Sequence, residues 1–393
     1  MPKILLMNAG SSSVKWKLFE LTDESVVAKG LVERMLAKGS KFEIKYGTEV
    51  YQETTDNLTY ERAAEMILEK LTALKITPLA DIVCVGHRVV FGGQTFKKAT
   101  RVDAEVSAQI LALSDHAPLH NPMEAKYIEL MQQVLPDVPQ YAVFDSQFFT
   151  QMPEENAIFS LPYELTKKYE IRRYGEHGIS HEYLVHKAAQ ILDRPLEELK
   201  LITLHLGSGS SVSATKDGKA FASSMGFTPL TGLTMGTRAG DVDPSLVPFL
   251  MEKLSLSATG VLELFNEKSG LLGLSGYSDD MRDIKEKSAT DAQCRLALDV
   301  YENKIVGYTG SYFAQLGGAD VLVFAGGIGE NNAWLRQDIC ARLACLGVEL
   351  DQTLNEQGQE GVISTSASKV KVLLLPTNEE LAMVQQIKAQ LEK

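Results

Sequence analysis

One short pattern, an apolar strand followed by a Gly/Ser turn and a second strand, occurs twice in this 393-residue chain. Its copies run from Ile4 to Lys15 (ILLMNAGSSSVK) and from Ile202 to Ser213 (ITLHLGSGSSVS), and they align without a gap. Glycines in such a turn let a ligand approach the backbone closely, and the exposed N–H groups and serine hydroxyls donate to phosphate oxygens. Chance similarity over so short a window is one alternative; the other is a pair of duplicated domains, whose two hairpin tips could grip one polyphosphate from opposite sides.

The second copy predicts a hairpin with strands over residues 201–206 and 212–215, joined by a Gly/Ser tip. Such tips also close many hairpins that bind nothing, and both interpretations stay open on this pattern alone. Val212 stands where the motif G-x-G-x-x-G needs its last glycine, and no G-K-[ST] follows, so the tip is neither a Rossmann nor a Walker motif. A long polar loop carrying Arg238 comes next, and ordered loops of this length are usually functional.

Composition narrows the class of protein. The length predicts two domains, and 45% apolar with 23% charged residues is typical of a soluble globular protein. The sequence has no membrane-spanning apolar run and no signal-peptide pattern, and its four cysteines lack metal-ligand spacing, which favours reduced thiols in the cytoplasm. A net charge of −12 argues against nucleic acid as a partner. An anionic substrate must therefore be held by local cations.

Three residues of the first half are candidates for binding or chemistry. Lys15 directly follows the serines of the first tip and could reach a phosphate, with an exposed strand lysine as the alternative. Arg88 follows a short buried strand over residues 81–85, where open α/β sheets bind ligands, so it is a candidate anion contact against the alternative of a surface salt bridge. Asp145 ends a strand over residues 141–144 and is a candidate magnesium or catalytic group, although many such aspartates cap turns.

Periodic apolar positions predict helices, among them those over residues 60–74, 291–316 and 333–346. Another helix is predicted to start after His120. Apart from any role in a site, His120 could simply be a loop histidine. There Asn121 is expected to cap the helix, Pro122 to occupy its first turn and Glu124 to complete a box-like arrangement.

The second half holds a cationic cluster and a second nucleotide-binding pattern. Arg172, Arg173, His177 and His181 lie close together in sequence, and no further ligand is spaced to make a metal site with them. A strand over residues 320–325 runs into a glycine turn at 326–331 before a helix, which is the geometry that holds a nucleotide. Residues 280–282 are predicted to lie in a loop.

A set of motifs occurs along the chain in this order: NAGSSSVK, GHRVV, APLHNP, FDS, RRYG-HG-SH, HLG-G-S, SMGFTPL-GL-MGTR-GD-DP, KSGLLG-SG-S-DMRDI, GGIGEN and PTNEE. Through these motifs and their order, the chain resembles the acetate kinases (acetokinases), a family of the actin/sugar-kinase/chaperone ATPase superfamily, over essentially its whole length. No single motif is decisive, but the ordered set is highly specific.

The resemblance implies an α/β fold of two duplicated ribonuclease-H-like (actin-like ATPase) domains with an interdomain nucleotide cleft. Residues 1–150 would form the N-terminal domain, with helix 380–393 packing on it, and residues 151–379 the nucleotide-binding domain. It implies a cytoplasmic homodimer that reversibly transfers the γ-phosphoryl of ATP to acetate by direct in-line transfer, giving acetyl phosphate and ADP. The implied metal is Mg²⁺, with Mn²⁺ as an alternative.

The resemblance also implies roles for individual residues. The catalytic residues would be Asp145, His177 and Arg238, and the metal residues Asn8 and Glu379. The substrate would be bound by Arg88, Val90, Leu119, His120 and Pro229. ATP would be bound by Ser11, Ser12, Lys15, His205, Leu206, Gly207, Ser208, Gly209, Asp280, Met281, Arg282, Gly326, Gly327, Ile328, Gly329, Glu330 and Asn331.

The chemistry of the reaction agrees with these roles. In-line phosphoryl transfer needs positioning and charge neutralisation, which Arg88, His177, Arg238 and Mg²⁺ supply. The acceptor carboxylate is already ionised at neutral pH and needs no general base, so we interpret Asp145 chiefly as an orienter of Mg²⁺ and water.

Three residues depart from the family pattern. The family usually has Asn in place of Ser208, His in place of Phe91, and Phe in place of Glu176, where it helps to wall the pocket for the acyl methyl. A carboxylate in that pocket would repel an anionic substrate or stay protonated at a cost. Either the Glu176 side chain points away from the pocket and pairs with Arg172 or Arg173, or the preferred acid is not plain acetate.

Other functions stay open beside an acetate kinase. The same chemistry on propionate or a more polar acid is one, and a non-catalytic paralogue that binds ATP or acyl phosphate is another. A sugar kinase of the same superfamily is disfavoured, because its hydroxyl acceptor would need a true general base.

Overall fold

The computed structural model describes residues 1–118 and 120–392. Its strands are β1 (Lys3–Ala9), β2 (Ser13–Glu20), β3 (Val26–Glu33), β4 (Ser40–Tyr46), β5 (Glu49–Thr55), β6 (Ile82–Val89), β7 (Thr100–Arg101), β8 (Gln140–Phe144), β9 (Leu201–Leu206), β10 (Ser210–Lys216), β11 (Lys219–Ser223), β12 (Val321–Ala325), β13 (Gly361–Val362) and β14 (Lys371–Leu374).

The helices are α1 (Tyr60–Ala73), α2 (Ala104–Ala112), α3 (Asn121–Val134), α4 (Glu154–Ala157), α5 (Tyr163–Lys168), α6 (Gly178–Leu192), α7 (Leu246–Leu254), α8 (Ala258–Glu267), α9 (Gly270–Ser275), α10 (Met281–Lys287), α11 (Ala292–Leu316), α12 (Gly326–Asn331), α13 (Ala333–Arg342), α14 (Gln352–Gln357) and α15 (Glu379–Leu391). Short 3-10 helices occupy Leu79–Asp81, Leu113–Asp115, Gln147–Gln151, Leu196–Glu198 and Ala344–Leu346. Within the described ranges, none of the helices is long and apolar enough to cross a membrane.

Two compact units divide the chain. Unit 1 comprises Met1–Gln147 and the segment from Asn378 onward, and unit 2 comprises Phe148–Thr377. In unit 1 the strand order is β5-β4-β3-β2-β1-β6-β8-β7, with β1 antiparallel to β2 and parallel to β6. In unit 2 the order is β11-β10-β9-β12-β14-β13, with β9 antiparallel to β10 and parallel to β12.

The two sheets share one topology. Each begins with an antiparallel hairpin followed by a third antiparallel strand, and in each the first strand of the hairpin pairs in parallel with a later strand, β6 or β12. A further parallel strand, β8 or β14, then pairs with that one. The repeated sequence pattern therefore marks a real duplication of a ribonuclease-H-like fold, as predicted.

Helices cover both faces of the central strands, which explains why these strands are apolar throughout. In unit 1, α1 and α3 pack on the face that carries Trp16 and Phe42, whereas α15 packs on the opposite face. A Cβ on Gly86 would lie 2.5 Å from both Leu6 Cδ2 and Ile387 Cδ1, so α15 approaches the sheet as closely as a glycine allows. In unit 2, α11 covers one face and α6 the other.

The structure corrects several local predictions. The strand expected over residues 81–85 runs on as β6 to Val89, because its later residues pair with β8. Residues 280–282 are not in a loop: Asp280 accepts a hydrogen bond from the backbone N of Arg282 at 2.8 Å and caps α10. The glycine turn expected at 326–331 is the short helix α12, and the helix predicted over 333–346 ends at Arg342.

The start of α3 is also corrected. His120, not Asn121, occupies the cap position, and no side chain caps this helix. Asn121 and Glu124 are instead buried and bond to the chain around Val90 and Phe91. Tertiary partners therefore override the local capping pattern here.

Candidate functional site

In unit 1, the first hairpin places a polar pair beside its tip. Asn8 of β1 and Lys15 of β2 are directly opposite each other, so both side chains project from the same face of the sheet. The tip is held from outside, since Tyr60 Oη donates to the carbonyl of Ser11 at 2.6 Å and Met35 N donates to that of Ser12 at 3.1 Å. The side chains of Ser11 and Ser12 are exposed.

A cavity of about 200 Å³ lies next to this pair, and among its lining residues are Asn8, Lys15, Arg88 and Glu379. These four predicted site residues come from β1, β2, β6 and the start of α15. Residues far apart in sequence thus meet at one cavity of unit 1.

An ion pair with a buried carboxylate anchors Arg88. Arg88 Nη2 donates to Asp145 Oδ2 at 2.9 Å, and Asp145 is fully buried directly after β8. Because only the arginine is partly exposed, the pair presents its cationic side outward, as anion binding requires. Glu379 lies close enough to Asp145 that burial, together with repulsion from this carboxylate, raises the pKa of Glu379 above its usual value.

The segment that follows β6 carries Val90, which is 6% exposed, and it is held by side chains from elsewhere. Glu124 accepts from Val90 N at 3.0 Å, and Asn121 both accepts from Phe91 N at 3.3 Å and donates to Phe91 O at 2.9 Å. Burial raises the pKa of Glu124 to about 7, and the Val90 N–H and the charge of Arg88 partly offset this. Sequence reasoning missed both residues as site-building groups, since it assigned them to a helix start.

Two further predicted substrate residues directly precede α3 in sequence. His120 precedes α3, and its backbone N donates to Ala117 O at 3.0 Å. Leu119 lies outside the described residues. Phe91, where the family usually has His, is buried and stacks on His116 with 4.9 Å between ring centroids.

In unit 2, the second hairpin tip is a tight turn closed by its own backbone. Gly207 N donates to Gly209 O at 3.0 Å, and the Ser210 hydroxyl donates to Gly207 O at 3.0 Å. Gly236 N donates to Ser208 O at 3.0 Å, which joins the tip to the loop that carries Arg238.

Two cationic or donor side chains converge on this tip. An ideal Cβ on Gly209 would lie 3.2 Å from His177 Nε2 and 3.9 Å from Arg238 Nη1. His177 has φ +59° just before α6, stacks on His205 at 4.2 Å and bonds through Nδ1 to Ser211 Oγ at 2.9 Å. Arg238 Nη1 also donates to Pro229 O at 3.3 Å, so the predicted substrate residue Pro229 contacts it through its carbonyl.

The loop carrying Arg238 is ordered by backbone bonds. Met235 N donates to Arg238 O at 3.1 Å, and Leu271 N donates to Met235 O at 2.8 Å. Gly270 has φ +60°, and a Cβ there would lie 2.3 Å from Met235 O and 2.7 Å from Arg238 O, so the loop packs directly on this glycine. Tyr308 Oη steadies the far end of the loop by donating to Asp241 Oδ2 at 2.6 Å.

A second cavity, of about 520 Å³, unites much of the predicted ATP-binding set. Its lining comprises Gly207, Ser208, Asp279, Asp280, Met281, Arg282, Gly327, Ile328, Asn331 and Asn332. Asp279 and Asn332 were not predicted, although each directly adjoins a predicted motif. Its volume lies within the range of small-molecule sites.

Other predicted ATP residues form the framework behind these groups. Leu206, Gly326 and Gly329 are buried. Gly326 has φ +77°, and a Cβ there would lie 2.5 Å from Leu206 O. Glu330 Oε1 accepts from Gly326 N at 2.9 Å, closing α12 on itself.

Arg336 is a framework residue that the sequence did not reveal. It is 1% exposed, and its guanidinium donates to the carbonyls of Gly329, Glu330 and Asn355 and to Asn355 Oδ1, at 2.7–2.8 Å. It therefore satisfies the open carbonyls of α12, which explains how a glycine-rich segment forms a helix there.

The sequence of this chain is similar to those of known proteins along nearly its whole length. The sequence matches the acetokinase family over residues 3–385. Acetate kinase 1 of Latilactobacillus sakei is 49% identical over 390 residues, covering 98% of this chain and 99% of that protein.

Two solved structures are similar throughout. The acetate kinase of Porphyromonas gingivalis matches with TM-score 0.94 at 40% identity, covering 100% of both chains. A propionate kinase of Francisella tularensis matches with TM-score 0.93 at 39% identity, covering 98% of this chain and 99% of that one. The chain belongs to the acetokinase family.

Proposed function

We propose that this chain is an ATP-dependent carboxylate kinase that reversibly transfers the γ-phosphoryl of ATP to acetate, giving acetyl phosphate and ADP. Family membership and full-length similarity to acetate kinases support this function. The observation that carries it is the convergence of His177 and Arg238 on the tip at Gly209, since charge neutralisation at a phosphate turn is what in-line phosphoryl transfer requires.

We assign roles by the chemistry of each group. His177 Nε2 and the Arg238 guanidinium would stabilise charge on the transferred phosphoryl, and Arg88 would bind the acceptor carboxylate. Val90, Leu119, His120 and Pro229 would shape the acyl site. The residues that line the 520 Å³ cavity would hold the nucleotide.

The donor set of unit 1 fits Mg²⁺. Asn8, Asp145 and Glu379 offer amide and carboxylate oxygens, the ligands this hard cation prefers. Burial and repulsion from Asp145 raise the pKa of Glu379. A divalent cation bound beside the two carboxyl groups would reduce the repulsion between them. Among the described residues no cluster of three or more His, Cys, Asp or Glu side chains could hold a metal, which is compatible with Mg²⁺ completing its coordination with water and phosphates. When bound, Mg²⁺ would neutralise charge on the phosphates; Mn²⁺ is the alternative.

Asp145 would orient rather than abstract a proton in this proposal. It holds Arg88 by the 2.9 Å ion pair and faces a nucleophile that is already ionised. Replacing Asp145 with Asn should lower activity sharply and alter the metal dependence. Near-full activity with unchanged metal dependence would contradict this role.

Another short-chain acid is the second candidate, and Glu176 is the reason to keep it. This residue is half-buried between Gly175 (φ +70°) and His177 (φ +59°). The similarity to a propionate kinase is nearly as high as that to an acetate kinase.

The deciding experiment is a hydroxamate assay with Mg²⁺-ATP and a panel of acetate, propionate, butyrate and hydroxy or dicarboxylic acids. Wild type and Glu176→Phe are compared. Turnover of acetate with little change in the variant supports the acetate assignment, whereas a different preferred acid would transfer the proposal to that acid. ATP binding without ADP release on any acid would replace it with a non-catalytic nucleotide-binding protein.

We also propose a homodimer, supported by exposed apolar side chains in unit 2. Leu246, Phe249 and Leu254 belong to α7, all of whose residues are at least partly exposed, and Leu256 and Leu262 follow in sequence. Exposed apolar side chains concentrated in one segment in this way are candidates for an interaction surface. The domain limits 1–150 and 151–379, the cleft between the domains and the cytoplasmic location stay predictions of the family resemblance.

A further inference from the structure

A chain of hydrogen bonds inside unit 2 ends at His177. Thr203 Oγ1 lies 2.6 Å from His181 Nδ1, His181 Nε2 lies 2.7 Å from Ser211 Oγ, and Ser211 Oγ lies 2.9 Å from His177 Nδ1. Thr203, His181 and Ser211 are all fully buried. The proposed mechanism gives none of these three residues a role, yet they contact its central histidine.

The number of available hydrogens limits the directions that these hydrogen bonds can take. Ser211 has one hydroxyl hydrogen but faces an imidazole nitrogen on each side, so at least one of the two nitrogens must carry a hydrogen and donate to the serine oxygen. With both rings neutral and the serine hydrogen donated to one of them, two arrangements result. Either His181 Nε2–H donates to Ser211 and Ser211 donates to His177 Nδ1, or every bond runs the other way.

An anion bound at the hairpin tip would favour one of these arrangements. Its Nε2 is the nitrogen that faces the Gly209 position, at 3.2 Å. In the first arrangement Nε2 carries the hydrogen and can donate to a phosphoryl oxygen, whereas in the reversed one it presents a lone pair to that anion. Burial and the neighbouring His205 lower the pKa of His181 well below 6.5, so this ring stays neutral at the inner end of the chain.

We propose that Ser211 and His181 are positioning residues that hold the proton of His177 on Nε2, with Thr203 donating to His181 Nδ1 at the inner end. This inference rests on the proposed function, because only an anion at the tip requires the donor there. Ser211 acts through hydrogen bonding alone and touches neither substrate nor metal in this account.

Ser211→Ala tests the proposal. We expect kcat to fall roughly 10- to 100-fold with the KM for ATP changed less than about threefold, since donation matters most as phosphoryl charge develops. Nitrogen-15 NMR of histidine-labelled protein should show His177 as the Nε2–H tautomer in wild type and as a tautomer mixture in the variant. Ser211→Thr, which keeps the hydroxyl, should restore the wild-type tautomer.

Ser213→Ala is the matched control. Ser213 is equally buried, lies two residues along β10 on the same face, directly opposite Thr203 of β9, and its hydroxyl donates to Ala222 O at 3.2 Å rather than bonding to a histidine. It should keep wild-type kcat. Thr203→Val removes the inner hydroxyl with little change of shape and should shift the tautomer in the same direction as Ser211→Ala, which keeps the test open if that variant does not fold.

Three outcomes would overturn the proposal. One is an unchanged His177 tautomer in both Ser211→Ala and Thr203→Val, and another is an equal loss of kcat in Ser213→Ala. The third is additivity between Ser211→Ala and His177→Ala, because a residue acting through His177 has nothing to add once it is removed. If wild type phosphorylates no acid, the proposed function fails, while the NMR measurement still decides the tautomer.

Discussion

Single buried side chains set the backbone around the proposed acyl site. The chain at Val90 and Phe91 has left β6, and Asn121 and Glu124 of α3 satisfy its backbone groups. Asn121 also donates to Ile110 O at 3.2 Å, so its amide joins three parts of unit 1. Buried polar groups left without such partners cost free energy, which makes this amide hard to replace.

The first prediction concerns this amide. Asn121→Ala should lower the free energy of unfolding by about 2–3 kcal/mol, because it leaves backbone groups of Phe91 buried without partners. It should also raise the KM for the carboxylic acid more than the KM for ATP, since Val90 belongs to the proposed acyl site. Urea unfolding and steady-state kinetics measure both effects. Gln133→Ala, on the exposed face of the same helix, is the control and should change neither.

The carboxyl group of Glu302 should make the free energy of unfolding depend on pH. Burial, with repulsion from Asp338 and Asp299, raises its pKa from 4.5 to about 7, and Arg342 and Lys285 offset this only in part. The folded state then binds the proton more tightly than the unfolded state. The contribution of Glu302 to stability is therefore greatest below pH 4.5, is lost between pH 4.5 and 7, and is constant above.

Glu302→Gln should remove this loss. We expect the variant to exceed wild type in the free energy of unfolding by about 1–2 kcal/mol at pH 8 and to match it near pH 4.5. Denaturant unfolding at the two pH values provides the measurement, and Glu286→Gln, at an exposed position, serves as control. An equal effect at both pH values would show that Glu302 keeps an ordinary pKa.

At the scale of elements, glycines decide how closely the loops around the phosphate tip can pack. Gly270 begins α9 with φ +60°, and its missing side chain leaves room for the carbonyls of Met235 and Arg238. Gly326 likewise lets α12 begin against β9. These contacts hold the tip, the Arg238 loop and α12 in one arrangement.

Gly270→Ala should disrupt that arrangement. A Cβ at 2.3 Å from a backbone oxygen forces the Arg238 loop to move, so kcat should fall at least tenfold and stability by about 3 kcal/mol. Gly307→Ala is the control: it lies exposed within α11 with no atom near its Cβ position, and it should stabilise the protein by about 1 kcal/mol. Wild-type kcat in Gly270→Ala would show that the loop tolerates displacement.

The proposed dimer belongs to the scale of the whole molecule. Phe249 on α7 is 52% exposed, and the leucines Leu246 and Leu254 of the same helix are also exposed. Phe249→Asp should convert a species of about twice 43.2 kDa into one of that mass in light scattering. Leu111→Asp, at an exposed apolar position of unit 1, should leave the mass unchanged. A wild-type monomer, or a dimer unaffected by Phe249→Asp, would contradict the assignment of this surface.

Local patterns predicted the parts of the fold that depend on neighbours in sequence. The second hairpin, β9 with β10, and the long helix α11 follow from strand patterning with turn residues and from helical periodicity. The repeat also predicted the shared topology of the two sheets. Where partners lie far along the chain, the same reasoning was wrong, as at residue 85 and at Asn121.

The sequence by itself determined the duplicated architecture, the family and which residue types are available for phosphoryl transfer, because these are carried by short patterns in a fixed order. The tertiary structure alone decided which of those residues meet: Arg88 with Asp145, His177 and Arg238 at Gly209, and Arg336 with the carbonyls of α12. It also revealed the buried chain from Thr203 to His177. The reason is that burial and hydrogen-bond direction depend on groups brought together by folding, and no local pattern records them.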